Sequence, residues 1–465
     1  MTGPAMRARD VARDALPFAA LAGLAIAGGV AATALAARPA LAGALAGGAG
    51  ALAALARVAR RYGAGVPWLG VALLAIMAGE LSSVSVGGQS GRLLWADLVI
   101  GLGAIGAFVA ARGVIEVPRA PVLDALWPLL AWCGVTLVLA EDPLTAAAEL
   151  KEWLAAAVLA VGAVTAATDA RRARVLLGAV AATGVVIALG MLYVAMTSPL
   201  GPVIAVMRKV VDLPWGRTNY LAGLLILAIP LLLGLLGDAA TWRGRLACVA
   251  GLAIASGGLA VSASKGAMLA LAVALAVTFG VAPRQARAPR AIVFALFAAV
   301  AALFAAGPLR QVMEMRLQTS ALDYSAGERM DLYALAWRQF VAHPVCGVGL
   351  NVFSVVAHRL HGVDTVPHNF ELGFLAELGL PGLVMALAWA WAVGDGARRA
   401  LRAAVTPRER SLALGLVAAF VAFALHNQVE STLYGQQYKM LLVVYAGAAW
   451  ALGQAWERRA AAPGA

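Results

Sequence analysis

Long apolar segments separated by short polar segments recur along the whole chain. A run of about 18 to 22 apolar residues is long enough to cross the hydrocarbon core of a bilayer as a helix. The pattern therefore predicts an all-α polytopic membrane protein with about 14 transmembrane helices. Their approximate ranges are 16–36, 38–56, 66–84, 93–111, 122–140, 148–168, 174–196, 218–237, 246–262, 266–283, 291–307, 370–396, 411–428 and 438–456.

The composition supports this assignment. Of the 465 residues, 62% are hydrophobic and only 13% are charged, and the mean hydropathy is +0.84. Soluble domains carry roughly 25% charged residues, so this composition excludes a soluble globular fold. The three cysteines have neither the CxxC spacing of a metal site nor a disulfide pattern.

The distribution of positive charge predicts the orientation in the membrane. With the N terminus in the cytoplasm, every predicted inner loop is basic, which satisfies the positive-inside rule. Both termini are then predicted to be cytoplasmic. The formal net charge of +12 thus reflects membrane topology, and no nucleic-acid partner is predicted.

Some basic residues on the predicted outer side are not explained by topology. A base at a helix start within reach of the membrane needs an anionic partner or a route to water. Lys265 therefore indicates an anion-binding role most strongly, whereas a solvated loop surface explains any other one of these bases equally well. They are Arg208, Lys209 and Arg217 before the eighth span, Lys265 in a tight turn, and Arg310, Arg316, Arg329, Arg338 and Arg359 in the long loop.

One long loop divides the chain into four predicted segments. Residues 1–214 and 215–307 hold the N-terminal and central transmembrane helices, 308–369 form an outer helical loop, and 370–465 hold the C-terminal helices. Within the loop, residues 328–341 predict an amphipathic helix. Its apolar stripe is expected to pack on the membrane domain as a lid, and consists of Met330, Tyr333, Ala334, Trp337 and Phe340.

The segment from Pro367 to Gly382 combines polar and glycine signals found nowhere else in the chain. His368 and Asn369 open an apolar run that Gly379 and Gly382 close. A straight helix would place His368 and Gly379 on one face, and Gly382 is expected to let a neighbouring backbone approach closely. The proline at position 381 predicts an interruption of that helix.

Other polar groups also fall at the predicted outer ends of the spans. The acids fit solvation at the membrane interface, with an outward-facing polar vestibule as the alternative, and a second His-Asn pair ranks below His368 because no glycine pattern follows it closely. These residues are Glu80, Asp97, Glu149 and Glu152, and the pair is His426–Asn427.

Four of these segments resemble the family of O-antigen ligases and polymerases, over roughly residues 215–395. The last segment matches the family's His-Asn to Gly-x-x-Gly run in full. The segments are Arg217–Ala222 leading to Pro230, Ser264–Gly266, the helix from Glu328–Arg329 through His343–Pro344 into Gly347–Phe353, and His368–Asn369 with Gly379 and Gly382.

Two positions depart from the family pattern. The family often has arginine where Lys265 stands, and lysine keeps the charge but lacks the bidentate fork of arginine. Ligases often have a leucine four residues after the loop arginine, where this chain has Tyr333. The second departure weakens the ligase assignment relative to polymerase.

The resemblance implies a GT-C-like membrane glycosyltransferase in the bacterial inner membrane, with a periplasmic active site. The donor would be an undecaprenyl-diphosphate-linked glycan. In a ligase the acceptor would be lipid A-core, and in a polymerase it would be another lipid-linked glycan. Membrane lipid surrounds such an enzyme in either case.

The residues suit that chemistry. A diphosphate leaving group needs cations, for which Arg329, Lys265 and then Arg217 are the candidates. His368 is the candidate general base near neutral pH, and Glu371 is expected to orient its imidazole. With Arg329 as the second catalytic candidate, the supporting residues are Asn369, Glu371, Gly379 and Gly382. Because no acid or histidine cluster has metal-site spacing, no metal and no cofactor are predicted.

Three alternatives to a ligase remain. A polymerase fits the same motifs. A protein O-oligosaccharyltransferase is less favoured, since such relatives often carry a further C-terminal segment and this chain ends soon after its last predicted span. A transporter or flippase would place charges at mid-membrane depth and often contain an inverted repeat, and neither pattern is evident in the sequence.

Overall fold

A computed structural model of the protein describes residues 61–75, 80–86, 89–110, 119–199, 211–213, 216–280, 321–362 and 365–461. The elements, in chain order, are α1 (Gly65–Ala75), β1 (Glu80–Val86), β2 (Gln89–Leu94), α2 (Trp95–Ala110), α3 (Pro121–Leu139), α4 (Pro143–Ala166), α5 (Ala170–Thr197), α6 (Thr218–Asp238), α7 (Trp242–Ser262), α8 (Lys265–Gly280), α9 (Ala321–Ala342), α10 (Phe353–His361), α11 (Phe370–Ala403), α12 (Pro407–His426) and α13 (Gln436–Ala461). A 3₁₀ turn, Thr432–Tyr434, precedes α13.

The fold is that of a helical polytopic membrane protein. Six described helices, α3, α5, α6, α7, α11 and α12, are long and apolar enough to cross a membrane, and α2 and α8 are shorter apolar helices. The predicted spans 16–36, 38–56 and 291–307 lie outside the described residues. The total of fourteen spans therefore stays a prediction.

The predicted span 66–84 has a different structure. Helix α1 ends at Ala75, and β1 then pairs antiparallel with β2 from Glu80–Leu94 to Val86–Gln89. Val84 and Val86 alternate with serines, a period-2 pattern typical of strands. A hydropathy window averages this alternation away, which is why the sequence pattern suggested one continuous helix.

Helix α6 lies at the centre of the described bundle and packs against α5, α7 and α12. Small residues allow the backbones of α6 and α12 to touch. A Cβ on Gly415 would lie 2.5 Å from the Pro230 carbonyl oxygen and 2.8 Å from the Gly234 Cα. Such close approach is how helices gain packing contacts where no water is available to drive their association.

Ion pairs gather at one end of the bundle. Arg174, at the start of α5, pairs with Asp238 at the end of α6, with 2.6 Å between Nε and Oδ2. Arg459, late in α13, pairs with Glu409 at the start of α12. The starts of α6, α8 and α11 and the end of α12 lie at the opposite end, where the candidate site is found.

Helix α11 is broken, as Pro381 predicted. Gly379 has φ 68° and ψ −171°, so the helix consists of two halves that meet there. The Leu380 N–H donates to the Pro344 carbonyl at 2.9 Å instead of continuing the helix. His368 and Gly379 therefore do not share the face of one straight helix.

Helix α9 packs against α10 and α11 with a different face from the predicted one. Leu335 and Ala336 are buried against Phe353 and Ala357 of α10 and Ala376 of α11. The predicted stripe does not pack as a unit, since Met330 is 64% exposed and Trp337 53% exposed, whereas Tyr333 is half-buried. Leu332 lies at helical spacing before this buried pair and packs against the same cluster, so the packed face is a second apolar stripe.

Candidate active site

The carboxylate of Glu430 lies at the centre of a polar cluster formed by segments far apart in sequence. Its Oε1 lies 3.1 Å from His368 Nδ1, and its Oε2 accepts a hydrogen bond of 3.0 Å from Asn219 Nδ2. The Arg329 guanidinium lies 3.8 Å from the same Oε2. The Glu430 side chain is only 7% exposed. Burial disfavours its negative charge, and these partners stabilise that charge.

These partners also determine how Glu430 ionises. Burial alone raises the pKa of this carboxyl, but the hydrogen bond and charge of His368 oppose that effect, together with the charges of His426 and Arg329. The net result is a pKa below its usual range. Glu430 is therefore a carboxylate throughout the neutral pH range.

His368 and Glu430 form a dyad suited to general-base catalysis. If the imidazole is neutral and Nδ1 donates to the carboxylate, the lone pair is on Nε2. The His368 side chain is 24% exposed, so the ring has access to the outside of the bundle. A buried carboxylate on one nitrogen orients the imidazole and stabilises the imidazolium that forms when the other nitrogen takes a proton.

Two residues of α9 face this dyad. Arg329 approaches Glu430, and one turn later the Tyr333 hydroxyl donates to the His368 carbonyl oxygen at 3.3 Å. Burial raises the pKa of Tyr333, so the phenol keeps the proton that it donates. The tyrosine at the position where ligases often have leucine therefore holds the backbone of the candidate base.

The start of α6 contributes a second wall of the site. Asn219 binds Glu430, and the Tyr220 hydroxyl donates to the Ser431 carbonyl at 3.3 Å. Arg217, the residue before this helix, is exposed. Arg217 stays a predicted member of the site, and the direct contact to the dyad comes from Asn219.

Lys265 lies beside the same loop. It begins α8 two residues after Ala263, whose left-handed conformation (φ 47°) ends α7. A Cβ on the next residue, Gly266, would lie 2.9 Å from Val429, the neighbour of Glu430. The Lys265 side chain is exposed, and within the described part of the chain its ammonium has no carboxylate partner.

The residues predicted to support His368 hold the backbone around it. Asn369 caps α11 by accepting from the Leu372 N–H at 2.9 Å, and its amide donates to the Gln428 carbonyl at 3.3 Å. Glu371 was expected to orient the imidazole. In the structure its Oε1 accepts from Gln428 Nε2 at 2.9 Å, and Glu430 has the position beside the ring.

The two predicted glycines act at the break in α11. A Cβ on Gly379 would lie 2.1 Å from the Val345 carbonyl oxygen, so this glycine permits the close backbone approach that was expected of Gly382. A Cβ on Gly382 would instead lie 2.2 Å from the Leu378 Cβ. Both glycines therefore shape the helix that carries His368 and do not reach the dyad themselves.

A second charged cluster lies inside the bundle near the same end. Lys439 is fully buried and pairs with Glu149 and, at 2.9 Å, with Glu152. Asp97 pairs with Lys151 at 2.8 Å. Three of the four acids at the predicted outer ends, Asp97, Glu149 and Glu152, are thus paired with cations, and Glu149 is nearly fully buried.

This second cluster connects the lid to the bundle. The Asn351 backbone N–H donates to Glu377 at 2.9 Å, and its side-chain amide donates to Glu149 at 3.2 Å. Gly347 and Gly349 both have positive φ, and a Cβ on Gly347 would lie 2.2 Å from the Glu377 carbonyl carbon. The glycine turn therefore fits directly against the first half of α11, which begins just after His368.

Sequence reasoning did not identify Glu430. It lies 62 residues after His368, too far for any spacing argument. The one sequence signal that could have indicated Glu430 is that it lies four residues after His426, the histidine of the second His-Asn pair. That pair builds the loop, because Asn427 accepts from Thr432 through its side chain at 3.1 Å and from the Phe370 N–H through its carbonyl at 2.9 Å.

The helices and this cluster define the class of the protein, a multi-pass membrane protein with a charged site at one end of its bundle. The family model described as O-antigen ligase matches residues 250–387. This match confirms the resemblance and supports a ligase-like or polymerase-like membrane enzyme. Lys265, Arg329, His368, Gly379 and Gly382 lie within the matched segment, and a search of curated proteins found no match to the chain.

Proposed function

We propose that the protein transfers a glycan from an undecaprenyl-diphosphate-linked donor to an acceptor hydroxyl at the periplasmic face of the bacterial inner membrane. O-antigen ligation, with lipid A-core as the acceptor, is the leading assignment. The observation that carries the proposal is the Glu430–His368 dyad with Arg329 at 3.8 Å from the same carboxylate. Two of these three residues lie within the segment that the O-antigen ligase family model matches.

The proposed step is a displacement at the anomeric carbon. His368 Nε2 takes the proton from the acceptor hydroxyl as its oxygen bonds to that carbon, and the bond from the carbon to the diphosphate oxygen breaks. Glu430 stabilises the imidazolium that forms. The imidazolium then returns its proton to solvent.

The departing diphosphate carries the bonding electron pair and needs positive charge. Arg329 can donate in bidentate geometry, and Lys265 supplies a point charge, with Arg217 as the third cation. The proposed reaction is metal-independent and cofactor-free, with the protein's own cations supplying the positive charge. A GT-C-like arrangement of about fourteen spans belongs to the same proposal.

A polymerase that transfers to another lipid-linked glycan is the second candidate. It is favoured by Tyr333, which stands where ligases often have leucine and donates to the His368 carbonyl. A transporter is a candidate of another class. The buried Lys439 is the fourth residue of α13, near the site end of the bundle, so it is not a charge at mid-membrane depth of the kind a transport path requires.

The lipopolysaccharide banding of a deletion strain distinguishes these functions. Loss of a ligase leaves bare core while lipid-linked polymer accumulates, and loss of a polymerase leaves core carrying one repeat. Normal banding would exclude both activities on lipopolysaccharide.

The assignment of the catalytic residues is tested with the full-length enzyme. We expect His368→Ala to lower transfer by about 10²-fold or more, the range for a lost general base, and Arg329→Ala to lower it to a similar degree. Transfer is measured by complementation of the deletion strain, with expression checked by immunoblot. His343→Ala, at an exposed histidine after α9, is the matched control, and full activity of His368→Ala would refute the base assignment.

A further inference from the structure

Helix α9 carries an apolar stripe that no described part of the protein covers. Met330, Trp337 and Val341 are 64%, 53% and 61% exposed, and Ala334 is exposed between them. Their spacing of four, three and four residues places them within about 60° of one another at about 100° per residue. This stripe lies on the side of α9 opposite the face that packs against α10 and α11.

The exposed surface continues from the stripe onto a membrane-spanning helix. Val345 follows the end of α9 and is 57% exposed, and it touches the break in α11 at Gly379. There Leu380, 54% exposed, donates its backbone N–H to Pro344. From Leu380 the exposed apolar residues of this candidate span continue at helical spacing through Val384, Leu387 and Trp391.

We propose that the α9 stripe is immersed in membrane lipid, in the leaflet on the side of the candidate site. The apolar face of the span from Leu380 onward contacts lipid, and the α9 stripe is joined to that face through exposed Val345, which contacts Gly379. Trp337 with Arg338 beside it suits the boundary between acyl chains and headgroups, where tryptophan and arginine are stabilised. Helix α9 is then an interfacial amphipathic helix.

This placement sets the depth of the site. On a helical wheel Arg329 and Tyr333 lie between the stripe and the packed face, about 70° to 110° from the stripe's centre. With the stripe in lipid, the Arg329 guanidinium is held at the level of the headgroups. A phosphate attached to a membrane lipid can then reach the Arg329 guanidinium without leaving the bilayer. This consequence rests on the proposed function. The immersion of the stripe does not depend on that function.

Site-directed spin labelling of the full-length protein in phospholipid vesicles tests the immersion. The three native cysteines are first replaced, and one new cysteine is labelled at a time. Collision of the label with oxygen, which concentrates in lipid, is compared with collision with a water-soluble nickel chelate. The stripe labels are Met330→Cys and Trp337→Cys, the controls on the exposed polar face of α9 are Asp331→Cys and Arg338→Cys, and the lipid reference is Val384→Cys.

We expect the stripe labels to favour oxygen over the nickel chelate several-fold, as the Val384→Cys label does, and the polar-face labels to show the reverse preference. Stripe labels as accessible to the nickel chelate as the Arg338→Cys label would place the stripe in water and overturn the proposal. Protection of the stripe labels from both reagents would also overturn it, because a protein surface such as a second copy would then cover the stripe. The two stripe positions give independent results if one variant fails to fold.

Discussion

At the residue scale, Glu430 joins parts of the chain that sequence analysis treated separately. It binds His368, Asn219 and Arg329, which lie at the starts of α11 and α6 and in α9. In the proposed reaction Glu430 is a positioning residue, because it acts on the acceptor through the imidazole. Lys265 and Arg217, in contrast, are available to an anion because they are exposed beside this cluster.

Glu430→Gln is expected to lower transfer strongly while keeping the shape of the side chain. The amide cannot stabilise the imidazolium, and loss of the equivalent carboxylate in a Ser-His-Asp triad costs about 10⁴-fold. Steady-state kinetics of the purified enzyme should show the loss in kcat, with KM for the donor little changed. A variant that loses donor affinity and keeps kcat would assign Glu430 to substrate binding instead.

The same variant should change how stability depends on pH. Since the folded-state pKa of Glu430 is lowered, its ionisation stabilises the fold above the unfolded pKa of about 4.3. That contribution is lost as the pH falls through the folded value. The Tm difference between wild type and Glu430→Gln, measured in detergent, should therefore be largest near pH 7 and narrow below about pH 4.3. A difference that is constant down to pH 3 would contradict this.

Substitutions at Lys265 should separate charge from geometry. Lys265→Arg keeps the charge and adds a bidentate donor, so we expect donor KM to be unchanged or lower. Lys265→Gln removes the charge and should raise donor KM by about tenfold or more, consistent with a lost charge-assisted hydrogen bond worth about 1.5 to 3 kcal/mol. Arg338→Gln, at an exposed cation on the far side of α9, is the control, and an equal effect there would indicate nonspecific electrostatics.

At the element scale, the break in α11 positions the helix that begins beside His368. The glycine turn before α10 donates from Val348 and Gly349 to the carbonyls of Ala376 and Glu377, at 3.0 and 2.9 Å. These bonds use carbonyls that the interrupted helix leaves free. The proline predicted the interruption, but the lid turn that occupies it is visible only in the folded protein.

Gly379→Ala should destabilise this junction. The added Cβ would lie 2.1 Å from the Val345 carbonyl oxygen, at a residue with φ 68°, so either the lid turn or the helix must move. Strain of this kind costs about 1 to 3 kcal/mol, and Tm should fall by several degrees with a loss of transfer. Gly134→Ala in α3, where a Cβ meets nothing within 4 Å, should leave Tm unchanged or raise it slightly. Equal Tm values for the two variants would refute the role of Gly379.

At the scale of the whole molecule, the two ends of the bundle differ in chemistry. One end carries ion pairs between helix termini, such as Arg459–Glu409 and Arg174–Asp238. The other carries the Glu430 cluster and the lid. Basic inner loops predict that the first end is cytoplasmic, and the proposed function requires the second end to be periplasmic.

This orientation can be measured with a membrane-impermeant thiol reagent on spheroplasts. In the cysteine-replaced background, Arg338→Cys should be labelled in intact spheroplasts, whereas Arg410→Cys should react only after the membrane is opened. Both positions are basic, which makes them a matched pair, although Arg338 is exposed and Arg410 is half-buried. Labelling of Arg410→Cys alone in intact spheroplasts would invert the topology and place the site in the cytoplasm.

The sequence by itself determined the helical membrane class, the segments that carry Lys265, Arg329 and His368, and the interruption near Pro381. These features depend on local quantities, namely the length of apolar runs, charge bias and the missing N–H of proline.

Only the tertiary structure decided that Glu430 is the partner of His368, that Glu371 binds Gln428, and which stripe of α9 packs. A contact across 62 residues depends on how the start of α11 and the end of α12 lie beside each other, which no local pattern contains. Likewise, the sequence does not distinguish the two apolar stripes of α9. Only the structure shows that a neighbouring helix covers one of them, and we place the other in lipid. The composition of the helices predicts that they exist, but it does not predict how they are arranged. The site depends on that arrangement.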